Sequence, residues 1–378
     1  MSLPEPSTAR SGRAGALRVA AWPDDRGNPY QRLFYSALAP HDVEFVGGLE
    51  INDAVLKRRA DEIDVLHLHW PEYAWRVSGS GLVPQLKLIA GLYRFLGLAT
   101  RLGIQIWWTA HNAAPHEGRR VVNRVGYGVV ARKADLVIVH SARAAAEVTR
   151  RYGARTTVVV PHGNFRGAYP APRPRAEVRA ELGLSDDRPL VACLGAVRDY
   201  KGVPTAVDAV AALGGAVQLI VAGDPKPDVD LKDIDARRQG KDWIKLRWQR
   251  LSDQEFADVA SASDAVLLPY RRATTSGVLL AAWTFGRGVV ASDIPCFSDE
   301  MQLFPGAGVV ATPDDARAFA AAITEYLARP AEDRDAAATM AADAREWEHT
   351  VASLRPHIEA ARARRRAGSG MATGEKTA

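Results

Sequence analysis

Two successive series of short apolar runs constrain this chain more than any other feature. The first series is Leu17–Trp22, Val43–Val46, Asp64–His69, Ile104–Thr109, Leu136–His140 and Thr157–Val160. The second is Leu190–Leu194, Val217–Ala222, Trp243–Leu246, Ala265–Leu268, Val289–Ala291 and Val309–Val310. Each run is followed by a turn and usually by a helical pattern. The runs are continuously apolar rather than alternating, the signature of parallel strands buried on both faces. Two such series predict an α/β chain of two doubly wound, Rossmann-like domains, with ligands at the carboxyl ends of the strands and in a cleft facing both domains.

The segment 166–189 interrupts the rhythm with Pro170, Pro172, Pro174 and Pro189 and reads as a linker with a short helix. The expected division is therefore a disordered tail at 1–16, an N-terminal domain at 17–165, the linker at 166–189 and a second domain at 190–330. A C-terminal helical segment at 331–366 and a second disordered tail at 367–378 complete it. A length of 378 residues suits two domains. A composition 47% hydrophobic and 25% charged excludes a disordered chain. Its two cysteines, Cys193 and Cys296, are too few and too far apart for a disulfide framework or a zinc site, which points to a reducing compartment. No uninterrupted apolar run reaches the ~18 residues of a membrane span, and residues 1–16 lack the apolar core of a secretion signal. A cytoplasmic protein is expected. The net charge of +5 suits phosphate-bearing or anionic partners. Nucleic acid is not among them, since the nine tryptophans cluster near strand ends and helices instead of studding a basic face.

In the second half, Gly195-Ala196-Val197-Arg198-Asp199-Tyr200-Lys201-Gly202 follows an apolar run and opens a helix, with Pro204 in its first turn. A glycine turn with an arginine and a lysine at a helix N-terminus can hold a diphosphate; a solvated basic turn has the same composition. It is neither a Walker loop nor GxGxxG, which disfavours kinase and nicotinamide chemistry. Next come Val221-Ala222-Gly223-Asp224 and Pro269-Tyr270-Arg271-Arg272-Ala273-Thr274-Thr275-Ser276-Gly277. The latter supplies an N-cap and exposed N–H groups ahead of an apolar helix, a second phosphate cradle or simply a capped helix. Gly286-Arg287-Gly288-Val289-Val290-Ala291-Ser292 closes the series.

In order and spacing these pieces resemble the donor half of GT-B glycosyltransferases of the family-4-like group, over roughly Leu17 to Leu327. The resemblance implies a nucleotide-diphosphate-sugar site made by Gly195, Arg198, Lys201, Gly223, Tyr270, Thr275, Ser276 and Gly277. It implies no cofactor beyond the sugar nucleotide itself, a GDP- or UDP-sugar. One departure stands out: the two glutamates that many members carry eight residues apart fall on Ala273 and Ala281. No acidic pair of the DxD kind stands at a strand end, so metal-independent chemistry is expected, with positive side chains and helix N–H groups taking up the leaving charge.

In the first half, Asn28 sits in the turn Gly27-Asn28-Pro29-Tyr30, where either a capped turn or an acceptor contact is expected. His67-Leu68-His69-Trp70-Pro71-Glu72 ends the third run. Trp70 and Trp75 are candidates to stack on an acceptor sugar, and Glu72 to accept from hydroxyls. Trp107-Trp108-Thr109-Ala110-His111-Asn112-Ala113-Ala114-Pro115-His116-Glu117 ends the fourth run. It resembles the Trp-Thr-x-His-Asn-x-x-Pro-His-Glu stretch of exopolysaccharide mannosyltransferase-like enzymes. That resemblance implies that His111 faces the donor sugar, in the synthesis of a polysaccharide or glycoconjugate. The acceptor would be a saccharide or a polyprenyl-linked one. An inverting reaction needs a base, for which His111, Glu117 and Glu72 are the candidates; a retaining one does not. The segment 81–101 is apolar enough to pack in a core or to lie on a membrane surface, with Arg119, Arg120, Arg124, Arg132 and Lys133 suited to anionic headgroups. A sugar-nucleotide epimerase, a glycogen-synthase-like transferase or a non-catalytic partner subunit would share the fold.

Overall fold

The computed structural model describes residues 15–25, 27–77, 79–112 and 119–374. The chain forms two compact units, one of Met1–His162 with Trp347–Ala378 and one of Gly163–Glu346. The first unit holds β1 (Leu17–Trp22), β2 (Val43–Gly48), β3 (Val65–Leu68), β4 (Gln105–Thr109), β5 (Leu136–Val139) and β6 (Thr157–Val159). The second holds β7 (Leu190–Leu194), β8 (Gln218–Ala222), β9 (Ile244–Arg247), β10 (Ala265–Leu268), β11 (Val289–Ser292) and β12 (Gly308–Ala311). All twelve expected strands form, with ends moved by a residue or two.

Both sheets are parallel, but their strand orders differ. The first runs β2-β1-β3-β4-β5-β6 and the second β12-β11-β10-β7-β8-β9. Chain direction across the sheet therefore reverses between β1 and β3 in one unit and between β7 and β10 in the other. Those switch points are where open α/β sheets leave a crevice at the strand carboxyl ends. The apolar runs explain the burial: β5, β7, β8 and β10 are buried along their whole length. Each buried Val, Leu or Ile among them contributes about 1.5–3 kcal/mol.

Two boundaries differ from the sequence expectation. The segment 166–189 carries the helix Arg175–Glu181 and belongs to the second unit. Arginines fasten it there: Arg173 to Asp258 at 2.7 Å, Arg175 to Asp264 at 2.9 Å and Arg179 to Asp264 at 2.8 Å. Arg179 is fully buried and also donates to the carbonyls of Ala262, Ser185 and Arg188. The prolines in that segment shape an anchored strap, not a free connection. At the other end, the helix Ala331–Asp343 stays in the second unit, whereas Trp347, Val351, Leu354, Ile358 and Ala361 join the core of the first. Their spacing of four and three residues is one helical stripe. The helix Arg355–Gly374 runs on into the segment expected as a tail.

The first core also takes in polar groups. His67, on β3, is fully buried, and burial pushes its imidazole down to about 3. The unfolded chain, with an ordinary histidine near 6.5, binds that proton where the folded chain does not. Stability carried by His67 is therefore present above pH ~6.5 and is lost as pH falls toward 3, at about 1.4 kcal/mol per pH unit. Denaturant unfolding of wild type and His67→Gln at pH 7.5 and 4.5 checks this. The wild type should lose about 3 kcal/mol more than the variant between the two; an equal loss would refute it.

Candidate functional site

In the second unit the sequence-predicted donor residues converge at the β7/β10 switch point. The loop after β7 turns at Gly195 (φ +84°), bonds across to the loop after β8 through Val197 N–H to Asp224 O at 2.8 Å, and reaches Gly202 (φ +63°). Two glycines permit the approach. A Cβ on Gly202 would lie 2.0 Å from the carbonyl oxygen of Pro269, and one on Gly223 would lie 1.9 Å from that of Gly195. No side chain fits at either place. Gly202 also starts the helix Val203–Ala212, with Pro204 in its first turn.

Lys201 lies between these loops. Its ammonium stands 5.3 Å from the centre of the Tyr270 ring and lines a small cavity with Cys193, Gly195, Val197 and Pro269. Burial pulls this lysine down to about 8, with buried Cys193 opposing the shift and Arg198 adding to it. Ser276 caps the helix Gly277–Thr284 by accepting from Leu279 N–H at 3.3 Å, so the N-terminus of that helix opens at Ser276 and Gly277 beside Thr275. Tyr270 is buried, its phenol held well above the ordinary range by desolvation, and its ring packs on Tyr200 and Phe297. It walls the site with an aromatic face. Arg271 is engaged elsewhere: it pairs with Asp199 at 2.9 Å and Asp314 at 2.8 Å, which ties two loops together. Arg272 lies over the Tyr200 ring.

In the first unit, histidines stand at the carboxyl ends of four neighbouring strands: His69 after β3, His111 after β4, His140 after β5 and His162 after β6. Tyr30 lies among them, edge-on to all four rings at 4.7–5.9 Å. A hydrogen-bonded line runs through the cluster. Thr109 Oγ1 meets His67 Nε2 at 2.8 Å, His67 Nδ1 meets the Tyr35 hydroxyl at 2.8 Å, and that hydroxyl meets His69 Nε2 at 2.9 Å. His69 Nδ1 then meets His111 Nε2 at 3.1 Å. Burial holds His69 and His111 well below the ordinary range, and their histidine neighbours push the same way. Among the described residues there is no group of three or more side chains set to hold a metal ion.

Trp70 stacks face to face on His111, with ring centres 4.6 Å apart and 13° between planes. It is half-buried and Tyr73 beside it is exposed, so this aromatic shelf is open to a ligand. Trp75 is not. It is fully buried, donates to Asn123 Oδ1 at 3.0 Å and rests on Gly126, where a Cβ would come within 2.6 Å of its ring. Its place is the core, because the backbone turns it inward after Glu72. Glu72 is buried too, its carboxylate 3.9 Å from Arg76, which removes it from reach of an acceptor hydroxyl. Asn28 caps the helix Pro29–Leu38 by accepting from Tyr30 N–H at 3.0 Å. Glu117 lies outside the described residues. Sequence reasoning missed Tyr30, Tyr35, His140 and His162. The signal was available: a histidine within three residues of the end of each of four successive strands.

The comparisons with known proteins fit this geometry. Residues 188–329, which include all six strands of the second sheet, match the family model described as "Glycosyl transferases group 1". A GDP-mannose:glycolipid 4-beta-D-mannosyltransferase of Xanthomonas campestris pv. campestris is 28% identical over 292 residues, 77% of each chain. A D-inositol 3-phosphate glycosyltransferase of Segniliparus rotundus is 28% identical over 240 residues, 58% of this chain and 52% of that one. Among solved structures, Anabaena HepE in complex with UDP and glucose superposes with a TM-score of 0.69 at 16% identity, covering 91% of this chain and all of that one. The sucrose-phosphate synthase of Thermosynechococcus elongatus gives 0.66 at 19% identity, with the same coverage. These two likenesses speak to the fold. With the family match over the second unit and the mannosyltransferase relative, they support a GT-B glycosyltransferase related to bacterial enzymes.

Proposed function

We propose that this protein transfers a hexosyl residue from a GDP-sugar, GDP-mannose first among them, to a lipid-linked saccharide in glycoconjugate synthesis. The observation that carries the reading is the loop packing around Lys201. It brings a lysine, the Gly195 turn and the N-terminus at Ser276 and Gly277 together, an arrangement that supports a diphosphate site. The Xanthomonas relative, named for GDP-mannose and a glycolipid, supports the choice of donor and acceptor.

In this mechanism the bond between the anomeric carbon and the phosphate oxygen breaks, and its electrons stay on the diphosphate. Lys201, Arg198 and the helix N–H groups stabilise that charge electrostatically, with no metal ion in the step. A β-mannoside made from an α-linked sugar phosphate requires inversion, hence a single displacement and a base for the attacking hydroxyl. His111 is that base in this reading, with the Trp70 face beside it for the acceptor ring. The reaction needs no further cofactor and belongs on the cytoplasmic face of the cell membrane.

The acceptor's lipid calls for a membrane-facing surface, and the helix Leu82–Arg101 suits it. By length and composition it could cross a membrane, contrary to the expectation that no run would; Lys87 and Arg94 interrupt it without removing its apolar character. One stripe, Ile89, Leu92, Phe95, Leu96 and Ala99, packs into the first core. The other leaves Leu82, Val83, Leu86, Leu88 and Tyr93 exposed beside Lys87 and Arg94. That pattern supports an interfacial helix on an anionic surface.

Four outcomes follow. Lys201→Ala should weaken GDP-mannose binding roughly 10- to 100-fold by calorimetry. Because only the protonated lysine binds the anion, wild-type affinity should be about tenfold lower at pH 9 than at pH 7, while the variant stays flat across that range. Unchanged binding by Lys201→Ala would refute the diphosphate site. His111→Ala should keep donor affinity yet cut transfer to alkyl glycosides by about 10²- to 10⁴-fold, read by product mass spectrometry; full transfer would rule out the base. Replacing Lys87 and Arg94 together by Gln should lower sedimentation with anionic vesicles about 30-fold in affinity, and equal binding would remove the membrane surface.

A further inference from the structure

The line of hydrogen bonds from Thr109 to His111 has a consequence for which nitrogen of His111 carries a proton. A neutral imidazole owns one N–H, and the Tyr35 hydroxyl has one proton to give. Suppose His67 Nε2–H donates to Thr109. Then His67 Nδ1 accepts from the Tyr35 hydroxyl, whose oxygen accepts from His69 Nε2–H. His69 Nδ1 is left bare and accepts from His111 Nε2–H. His111 then presents Nδ1 as a lone pair, and that nitrogen has no partner among the described residues. Reversing every bond gives the other arrangement that keeps the Tyr35 proton in the line, with Nδ1–H on His111.

Resting on the reading of His111 as the base, we propose that His69, Tyr35 and His67 are positioning residues that hold His111 as its Nε2–H tautomer and relay the proton it takes up. As the acceptor O–H bond breaks, its proton goes to His111 Nδ1 and the hydroxyl oxygen attacks the anomeric carbon. His111 passes its Nε2 proton to His69 Nδ1. His69 passes its own Nε2 proton to the Tyr35 oxygen, and the Tyr35 proton moves to His67 Nδ1. No atom is oxidised, and the positive charge moves three residues away from the reacting hydroxyl. The distances of 2.8–3.1 Å suit each transfer.

Three observations support the relay over a purely structural network. His67 and His69 are almost wholly buried, where an imidazole without directed partners is costly. The line ends at a nitrogen left open on the side chain that Trp70 stacks upon. Among the described residues, the titratable groups facing His111 are His67, His69, His140, His162, Tyr30 and Tyr35, none of them an acid. Asp24 acts on that line at Tyr35.

The test uses the full chain and nitrogen-15 NMR of its histidine rings, which needs no substrate, together with transfer from GDP-mannose. In wild type at neutral pH, His111 should show a bare Nδ1 and a protonated Nε2. Tyr35→Phe, which deletes one oxygen, should mix the two tautomers of His111 and lower kcat about tenfold with KM for GDP-mannose unchanged. His69→Leu should do the same. His69→Asn keeps an oxygen able to accept from His111 Nε2–H, and should restore the single tautomer and part of kcat. A protonated Nδ1 in wild type, or an unmixed tautomer in both Tyr35→Phe and His69→Leu, overturns the relay even where His111→Ala abolishes transfer. If His111→Ala instead transfers at full rate while the tautomers behave as described, the base reading falls and the relay's positioning role alone survives.

Discussion

At the carboxyl end of the second sheet, two loops touch so closely that a carbonyl oxygen occupies the volume where a side chain would begin. Gly202 meets the Pro269 carbonyl and Gly223 meets that of Gly195. Everything proposed for the donor side depends on these approaches. They bring the turns after β7, β8 and β10 into one wall and force Lys201 to share a small space with Tyr270 and Cys193. Desolvation is the cost of that space. It lowers the lysine's affinity for its own proton, and an anion arriving beside the ammonium would raise that affinity again.

The first unit solves the opposite problem. Its strand ends carry imidazoles in place of cations, and burial keeps them neutral. Neutrality suits a group that must accept a proton, because a histidine already charged has no lone pair to offer. Buried polar groups survive only when their hydrogen bonds are supplied, and the Tyr35 hydroxyl supplies two of them at once. The aromatic rings of Tyr30, Trp70 and Trp347 fill the remaining contacts.

Much of this was legible in the sequence, because the information was local. Apolar runs of two to six residues marked the strands, and glycine, lysine and serine at loop ends marked the wall around Lys201. What escaped was information carried by distant pairs. Nothing local says that Arg173, Arg175 and Arg179 find Asp258 and Asp264 some 85 to 89 residues away, so prolines alone made that strap look like a linker. Trp75 and Trp70 look equivalent in sequence, and only Gly126 and Asn123, on a later helix, send one into the core. The stripe Trp347, Val351, Leu354, Ile358 and Ala361 was readable as helical, but not as returning to the first unit.

The departure at Ala273 and Ala281 gains meaning from the structure. Ala281 is almost wholly buried on the helix Gly277–Thr284, among Leu279, Leu280, Ala282 and Trp283. A glutamate there would need its own counter-charge in an apolar setting, and the nearby Arg271 is already spent on Asp199 and Asp314. With no carboxylate on that helix, the donor wall keeps an uncompensated positive balance from Lys201 and the helix N-terminus. Such a wall favours whatever brings the most negative charge, the diphosphate, and has less means of gripping sugar hydroxyls. The first unit's imidazoles and the Trp70 face are polar and aromatic groups of the kind that sugar recognition uses.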